Sequence, residues 1–179
     1  IVASPGLVSA HLKILEANPG MGTIGYAVTD PDLIDAPHFF YLDSRGVARL
    51  PEGPAPARFF VTQNAAVPRQ EFLSIGGFDE DFSAYGFEDM EVAFRLEGQA
   101  KVRFLALTQP VPRHVHHHTL AQYLDKKREC GRSSLVQIAR LHPERVPEMR
   151  LHYAVNPNNE YSPTLAVKIF RFLADSPLG

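Results

Sequence analysis

The chain has 179 residues, of which 45% are hydrophobic and 21% are charged, a balance typical of one soluble globular domain with a sizeable core. The formal net charge of -2 lacks the basic excess that nucleic-acid binding usually needs, so we expect no nucleic-acid partner. No apolar run approaches the ~20 residues of a membrane span, and no signal peptide is expected at the start. Cys130 has no second cysteine to pair with, which favours a reducing compartment. We therefore expect a cytoplasmic protein, with peripheral contact at a membrane surface left open.

The first third of the chain predicts a helix, a strand and a long irregular segment. Residues 4–18 have helical spacing of apolar side chains, with Ser4 as the cap and Pro5 at the first helical position. Residues 23–29 alternate between large and small side chains and predict a strand. Residues 35–57 mix prolines, glycines and charges, which favours an irregular excursion.

The following elements alternate between strand and helix. Residues 59–64 form an apolar run that predicts a buried strand, and Pro68 opens a short helix through Ile75. A further helix follows Gly86, and residues 101–107 predict another strand. This order predicts an α/β fold.

The last part of the chain reads as helical. Thr119 and Gln122 have the spacing of a capping box, which predicts a helix that reaches residue 142 with a disturbance near Gly131. Two more helices are predicted at residues 143–153 and 163–174. We expect a main domain at residues 1–142 and a C-terminal helical extension at residues 143–179.

The most informative stretch runs from Asn64 to Leu96. It contains Gly76-Gly77-Phe78-Asp79-Glu80 and then Tyr85-Gly86-Phe87-Glu88-Asp89 at the start of a helix. Acids in a first helical turn stabilise any helix, so Glu88 and Asp89 alone have a purely structural explanation. Glycines that let a backbone approach a ligand, and aromatic faces beside carboxylates, suit the binding of a sugar ring. A carboxylate at such a site could also take a hydroxyl proton as a general base.

This combined motif resembles the second half of a GT-A-fold glycosyltransferase, of the inverting family-2 type and of related galactosyltransferase C-terminal domains. The resemblance implies the C-terminal portion of a Rossmann-like, mixed-sheet domain followed by helices. It implies that Asp89 is the base that deprotonates the acceptor hydroxyl and that Glu88 orients the acceptor. The implied acceptor pocket comprises Gly76, Gly77, Asp79, Tyr85 and Gly86. Arg95 is expected to be only a structural ion-pair partner.

Four histidines lie within five residues, at positions 114, 116, 117 and 118. Neutral imidazole is a common ligand of divalent ions, although a solvated histidine-rich loop is the plainer explanation. The resemblance implies Mn²⁺ or Mg²⁺ on the nucleotide diphosphate, held by an Asp-x-Asp motif and often by a histidine some two dozen residues after the Glu-Asp pair. His114 and His116 lie 25 and 27 positions after Asp89, so they are the predicted metal ligands.

The donor-binding half of such a domain is expected upstream of Ile1. Asp30-Pro31-Asp32 has the Asp-x-Asp pattern, but it reads as a turn that ends the first strand. The resemblance therefore implies an inverting hexosyltransferase of glycan biosynthesis, which moves a sugar from a nucleotide-sugar donor to a saccharide or glycan-precursor acceptor. Two alternatives stay open: a non-catalytic glycan-binding module, and a metallohydrolase that uses the histidine cluster.

Overall fold

The structure is a computed structural model, and it describes residues 1–33, 37–44, 46–115 and 118–149. The chain divides into two compact units, Ile1–Ser134 and Leu135–Gly179. The predicted helix at residues 163–174 and the end of the one at residues 143–153 lie outside the described residues, and a 3-10 turn, Pro143–Arg145, is found at the start of the latter. The predicted domain division at residue 142 stays a prediction.

The first unit is built on a mixed four-stranded sheet. Its strands have the order β3-β5-β1-β4, in which the central pair β1 and β5 is parallel and both outer strands are antiparallel to their neighbours. A separate parallel pair joins β2 to β6. The strands are β1 (Met21–Gly25), β2 (Val28–Thr29), β3 (Gly53–Ala55), β4 (Ala65–Ala66), β5 (Arg103–Leu107) and β6 (Arg113–His114). The predicted α/β fold with a mixed sheet is confirmed.

The part of the chain that the structure describes contains six α-helices. They are α1 (Leu7–Ala17), α2 (Pro37–Asp43), α3 (Arg69–Ser74), α4 (Glu88–Gly98), α5 (Leu120–Arg132) and α6 (Ser134–Leu141). Helix α4 buries Val92, Ala93, Phe94 and Leu96, and it packs on the 3-10 turn Ala57–Phe59. None of the described helices is both long and apolar enough to cross a membrane. The buried face of α4 therefore lies against the Ala57–Phe59 turn.

Local signals predicted several elements correctly. Helix α3 follows Pro68 as expected, and β5 occupies most of the predicted strand. The capping box is present, because Gln122 N donates to Thr119 Oγ1 at 3.2 Å and Thr119 N donates to Gln122 Oε1 at 2.9 Å. Helix α5 ends at Arg132, one residue after Gly131, where the disturbance was predicted.

The predicted strand at residues 59–64 is wrong. Ala57–Phe59 and Thr62–Asn64 are 3-10 turns, and the two-residue strand β4 follows them. The apolar side chains of this run are buried by packing rather than by strand pairing: the Phe60 ring lies 5.4 Å from that of Phe104, and α4 covers the first turn. An apolar run indicates burial, but its periodicity cannot separate these two causes.

Three boundaries also differ from the prediction. Helix α1 begins at Leu7 after Gly6, which has φ 79°, because the Ser4 hydroxyl does not cap the helix and donates instead to Val111 O at 2.6 Å. The strand predicted at residues 23–29 is split into β1 and β2, which belong to different sheets. The segment predicted to be irregular, residues 35–57, contains α2 and β3. Strand β3 is recruited by pairing with β5, a non-local contact that has no local sequence signal.

Candidate active site

The loop before α4 is bent so that two carboxylates begin the helix. Gly86 has φ 93° and Phe87 has φ 70°, both in the left-handed region, and the helix starts at Glu88. The loop lies against the junction of α5 and α6, because Ser134 Oγ donates to the Tyr85 carbonyl at 3.0 Å. A Cβ atom at position 86 would come within 3.0 Å of Cys130 Sγ, so the close approach of these elements requires glycine there.

Asp89 is the better placed of the two acids to accept a proton. It is half-buried in the first turn of α4, and its Oδ1 accepts a hydrogen bond from the Thr62 amide at 3.3 Å. Its Oδ2 accepts no hydrogen bond from any residue that the structure describes. The positive end of a helix dipole favours negative charge at this position. Asp89 thus combines a fixed orientation with one open acceptor atom.

Glu88 has a different environment from its neighbour. Its Oε2 atom is buried and has no hydrogen-bond partner within the described part of the chain. Cys130 lies nearby on α5, and the pKa of its thiol is raised, mainly by burial and also by the charge of Glu88, while Lys127 opposes this shift. An unsatisfied buried carboxylate oxygen is costly, and such groups often mark sites that a ligand completes.

Gly76 and Gly77 form the turn that ends α3. Their φ angles are 81° and 75°, and their amides donate to Leu73 O at 3.0 Å and to Phe72 O at 3.1 Å. These backbone donors are therefore used within the turn. The role of Gly76 and Gly77 in an acceptor pocket stays a prediction that depends on the shape of the turn.

Asp79 also takes part in the loop itself. Its Oδ1 accepts a hydrogen bond from the Asp81 amide at 3.0 Å, and its carbonyl accepts one from the Phe82 amide at 3.2 Å. This is the local Asx-turn geometry that favours aspartate in loops. The rigid loop carries Phe78, whose exposed ring meets the ring of Phe72 at 5.6 Å in an edge-on arrangement.

Tyr85 presents an exposed aromatic ring next to two lysines of α5. Lys126 Nζ and Lys127 Nζ lie 5.3 Å and 5.9 Å from its ring centroid. The signal was present in the spacing of α5, because Lys126, Lys127 and Cys130 recur at helical intervals and so share a face. Sequence alone did not show that this face covers the loop at Tyr85.

His114 lies in the small sheet formed by β2 and β6. It is half-buried, and its carbonyl accepts a hydrogen bond from the Asp30 amide at 3.2 Å. His116, the second predicted metal ligand, lies outside the described residues. His118 is buried, and its carbonyl accepts a hydrogen bond from His38 Nε2 at 3.1 Å. His118 therefore does not belong to a solvated loop.

The described residues do not group into a metal site. Across residues 1–33, 37–44, 46–115 and 118–149, no three His, Cys, Asp or Glu side chains are grouped closely enough to hold a metal ion. Asp30 belongs to a turn, as predicted: its carboxylate pairs with Arg113 at 3.0 Å and accepts the Asp32 amide at 3.1 Å. Metal binding by His114 stays a prediction.

Arg95 has the structural role that was expected for it. Its guanidinium contacts both carboxylate oxygens of the buried Glu91 at 2.6 Å, and it also donates to Ile75 O at 2.8 Å. This paired charge joins α4 to the end of α3. It therefore fixes the two sides of the Gly76–Asp89 segment relative to each other.

Comparisons with known proteins confirm the resemblance to glycosyltransferases. Residues 47–119 match the family model described as the N-terminal domain of galactosyltransferase. This range includes the glycine loop, both carboxylates and His114, and together with the mixed α/β fold it is consistent with a GT-A-type glycosyltransferase.

Curated relatives carry glycosyltransferase names. The uncharacterized glycosyltransferase YfnE of Bacillus subtilis (strain 168) is 37% identical over 70 residues, which is 39% of this chain and 18% of that protein. The validoxylamine A glucosyltransferases of Streptomyces hygroscopicus subsp. jinggangensis (strain 5008) and subsp. limoneus are each 30% identical over 100 residues, which is 52% of this chain and 21% and 20% of those proteins. The matched part of the chain spans about a fifth of the length of these relatives. No solved structure matches the chain significantly.

Proposed function

We propose that the chain forms the acceptor side of an inverting glycosyltransferase that moves a hexosyl group from a nucleotide sugar to a hydroxyl of a saccharide or glycan precursor. The observation that carries this proposal is Asp89, whose carboxylate is held through Oδ1 and leaves Oδ2 open. The names of the glucosyltransferase relatives support a hexosyl donor.

In the proposed reaction, Asp89 Oδ2 takes the proton of the acceptor hydroxyl. The acceptor oxygen forms a bond to the anomeric carbon from the face opposite the leaving group. The bond between that carbon and the diphosphate oxygen breaks, and the nucleoside diphosphate leaves with the electron pair. A single displacement of this kind inverts the anomeric carbon and requires one base.

Glu88 and Tyr85 are proposed to orient the acceptor. The buried Glu88 Oε2 lacks a protein partner among the described residues, and a second acceptor hydroxyl could donate to it. The Tyr85 ring is 49% exposed, enough to stack on the apolar face of a sugar. Gly76, Gly77, Asp79 and Gly86 are proposed to shape the same pocket through their turns.

A divalent metal ion, Mn²⁺ or Mg²⁺, is proposed on the diphosphate of the donor. His114 and His116 are the proposed ligands from this chain, and the remaining ligands would come from the donor-binding half. When bound, the ion would neutralise charge that develops on the leaving diphosphate. The half-buried imidazole of His114 supports this proposal as one ligand.

The proposal is tested by replacing Asp89 with Asn in the full-length protein and by following the transfer of a labelled sugar from candidate nucleotide-sugar donors. The amide keeps the size of the side chain but cannot act as the base, so we expect turnover to fall by about 10²–10⁴-fold with the circular dichroism spectrum unchanged. The control is Asp125→Asn, since Asp125 is a surface acid with a 70% exposed side chain. Near-normal turnover of Asp89→Asn would refute the role of Asp89.

Two further readouts separate the alternatives. The anomeric configuration of the product, read by NMR, tests inversion directly. Glycan binding by the full-length wild-type protein with no transfer from any nucleotide sugar would favour the non-catalytic binding module instead.

A further inference from the structure

A chain of buried polar side chains lies behind the proposed base. His11 on α1 is buried, its Nδ1 is 2.6 Å from Thr23 Oγ1 on β1, and its Nε2 is 2.8 Å from Asn64 Oδ1. Asn64 is also buried, and its Nδ2 donates to the Tyr26 carbonyl at 2.8 Å. Three separate parts of the fold therefore meet at one amide side chain.

The direction of each hydrogen bond follows from the Tyr26 carbonyl, which can only accept. Asn64 Nδ2 must be the group that faces this carbonyl, so Oδ1 faces His11 and accepts from Nε2. With a neutral imidazole, His11 Nδ1 then accepts at 2.6 Å from the Thr23 hydroxyl, whose other possible acceptor, Ala66 O, is farther away at 3.5 Å. Each group has a defined role, and the network leaves Asn64 one orientation.

Packing also fixes the position of Asn64. The side chain rests directly on the backbone of Gly25, where an added Cβ would lie 2.2 Å from Asn64 Nδ2 and 2.7 Å from its Cγ. Any residue larger than glycine at position 25 would occupy the space that the amide fills. Asn64 is therefore held by hydrogen bonds on two sides and by β1 beneath it.

Asn64 is the last residue of the 3-10 turn that holds Asp89. The turn runs from Thr62 to Asn64 and is closed by a hydrogen bond from Asn64 N to Val61 O at 3.3 Å. The amide of Thr62, two residues before Asn64, is the group that donates to Asp89 Oδ1. Fixing Asn64 consequently fixes the hydrogen-bond donor that orients the Asp89 carboxylate.

We propose that Asn64, His11 and Thr23 are positioning residues that hold the Thr62 turn and thereby orient Asp89 for proton abstraction. This inference rests on the proposed function, in which Asp89 is the base. It extends the site to α1 and to β1, which lie outside the stretch from Asn64 to Leu96 that resembles glycosyltransferases. None of the three residues needs to contact the substrate for this role.

The test uses Thr23, the member of the network farthest from Asp89 along the chain of contacts. Thr23→Val removes the hydroxyl and keeps the shape of the side chain, whereas Thr23→Ser keeps the hydroxyl. Small misorientation of a catalytic group lowers the rate of the chemical step, so we expect Thr23→Val to lower kcat about tenfold in the full-length enzyme with the donor KM unchanged. Thr23→Ser should retain a kcat near that of the wild type.

A merely structural role is excluded by a matched control. Val102 is fully buried next to Arg103, which pairs with Met21 at the opposite end of β1 from Gly25. Val102→Ala should lower stability without disturbing the turn, and its kcat is measured at a temperature where all the variants are folded. If Thr23→Val does not fold, Thr23→Ala removes the same hydroxyl without adding bulk and carries the same expectation.

The outcomes separate this inference from the proposed function. If Asp89→Asn is inactive but Thr23→Val has the same kcat as Val102→Ala, the positioning role is overturned and the role of Asp89 survives. If Asp89→Asn keeps its turnover, the proposed function itself fails. In the Asp89→Asn background, Thr23→Val should cause no further loss of the residual rate, because the base through which it acts is already absent.

Discussion

The sharpest test of the packing behind the site is Gly25→Ala. The three atoms nearest to a Cβ at this position, at 2.2, 2.7 and 3.1 Å, all belong to the side chain of Asn64. Gly25 is also buried within β1, so the methyl group has no other direction to take. We expect the alanine side chain to displace the Asn64 amide and to break both of its side-chain hydrogen bonds.

The loss of stability expected for Gly25→Ala follows from those two hydrogen bonds. The bonds to His11 Nε2 and to the Tyr26 carbonyl, both 2.8 Å long, are each worth about 0.5–1.5 kcal/mol, and a buried partner left unsatisfied adds about 1–3 kcal/mol. Replacing glycine with alanine also reduces the conformational freedom of the unfolded chain, which raises the free energy of unfolding by about 0.4–1 kcal/mol. The free energy of unfolding should therefore fall by about 1–6 kcal/mol.

Urea denaturation of the full chain measures this change, with Gly98→Ala as the matched control. A Cβ at Gly98 would meet nothing within 4 Å and the residue is helical, so its alanine variant should be more stable by about 0.5–1 kcal/mol. In an Asn64→Ala background, the cost of Gly25→Ala should largely disappear, because the obstructing atoms are gone. A cost that is equal in both backgrounds, or a Gly25→Ala variant as stable as the wild type, would refute the reasoning.

Four more predictions concern the elements around the carboxylates. Arg95→Met removes the guanidinium that pairs with the buried Glu91 carboxylate and should cost about 3–5 kcal/mol in urea unfolding, whereas a cost below about 1 kcal/mol would contradict a buried pair. Gly86→Ala should lower the free energy of unfolding by about 1–3 kcal/mol, because of the φ of 93° and the contact with Cys130. Adding Cys130→Ala should restore only the part of this loss that comes from the contact with Cys130. Burial raises the pKa of the Cys130 thiol from 9.0, so iodoacetamide should label it slowly at pH 8 in the folded chain and rapidly in urea. Because the pKa of the Cys130 thiol is higher in the folded chain than in the unfolded chain, the protonated thiol contributes its full stability below pH 9.0. This contribution declines as the pH rises through the folded pKa, which a pH series of urea titrations would show.

Elements with local signals could be predicted from the sequence, and elements made by distant contacts could not. Pro68 and the Thr119 capping box fix helix starts through atoms within one turn, so their helices were identified correctly. The run at residues 59–64 is apolar because α4 and Phe104 cover it, and that burial resembles the burial of a strand. Strand β3 exists only because β5 pairs with it, so nothing within the preceding loop predicted it.

The candidate site also has features that the sequence predicted and features that it did not. The sequence predicted two carboxylates at the start of a helix, and α4 does begin at Glu88. It could not show that the amides of Gly76 and Gly77 are consumed in ending α3, since a glycine pair is compatible with either a ligand cradle or a helix cap. Nor could it identify the Thr62 amide, because a backbone donor leaves no mark on residue type.

The charge and the orientation of the proposed base therefore have different origins. The charge is favoured locally, by the position of Asp89 in the first turn of α4, and the motif encodes it directly. The orientation depends on Thr62, whose turn is held through Asn64 by His11, a residue 53 positions earlier in the chain. A motif can be intact while its orientation is lost, so substitutions on the buried face of α1 should impair catalysis without touching any residue of the motif.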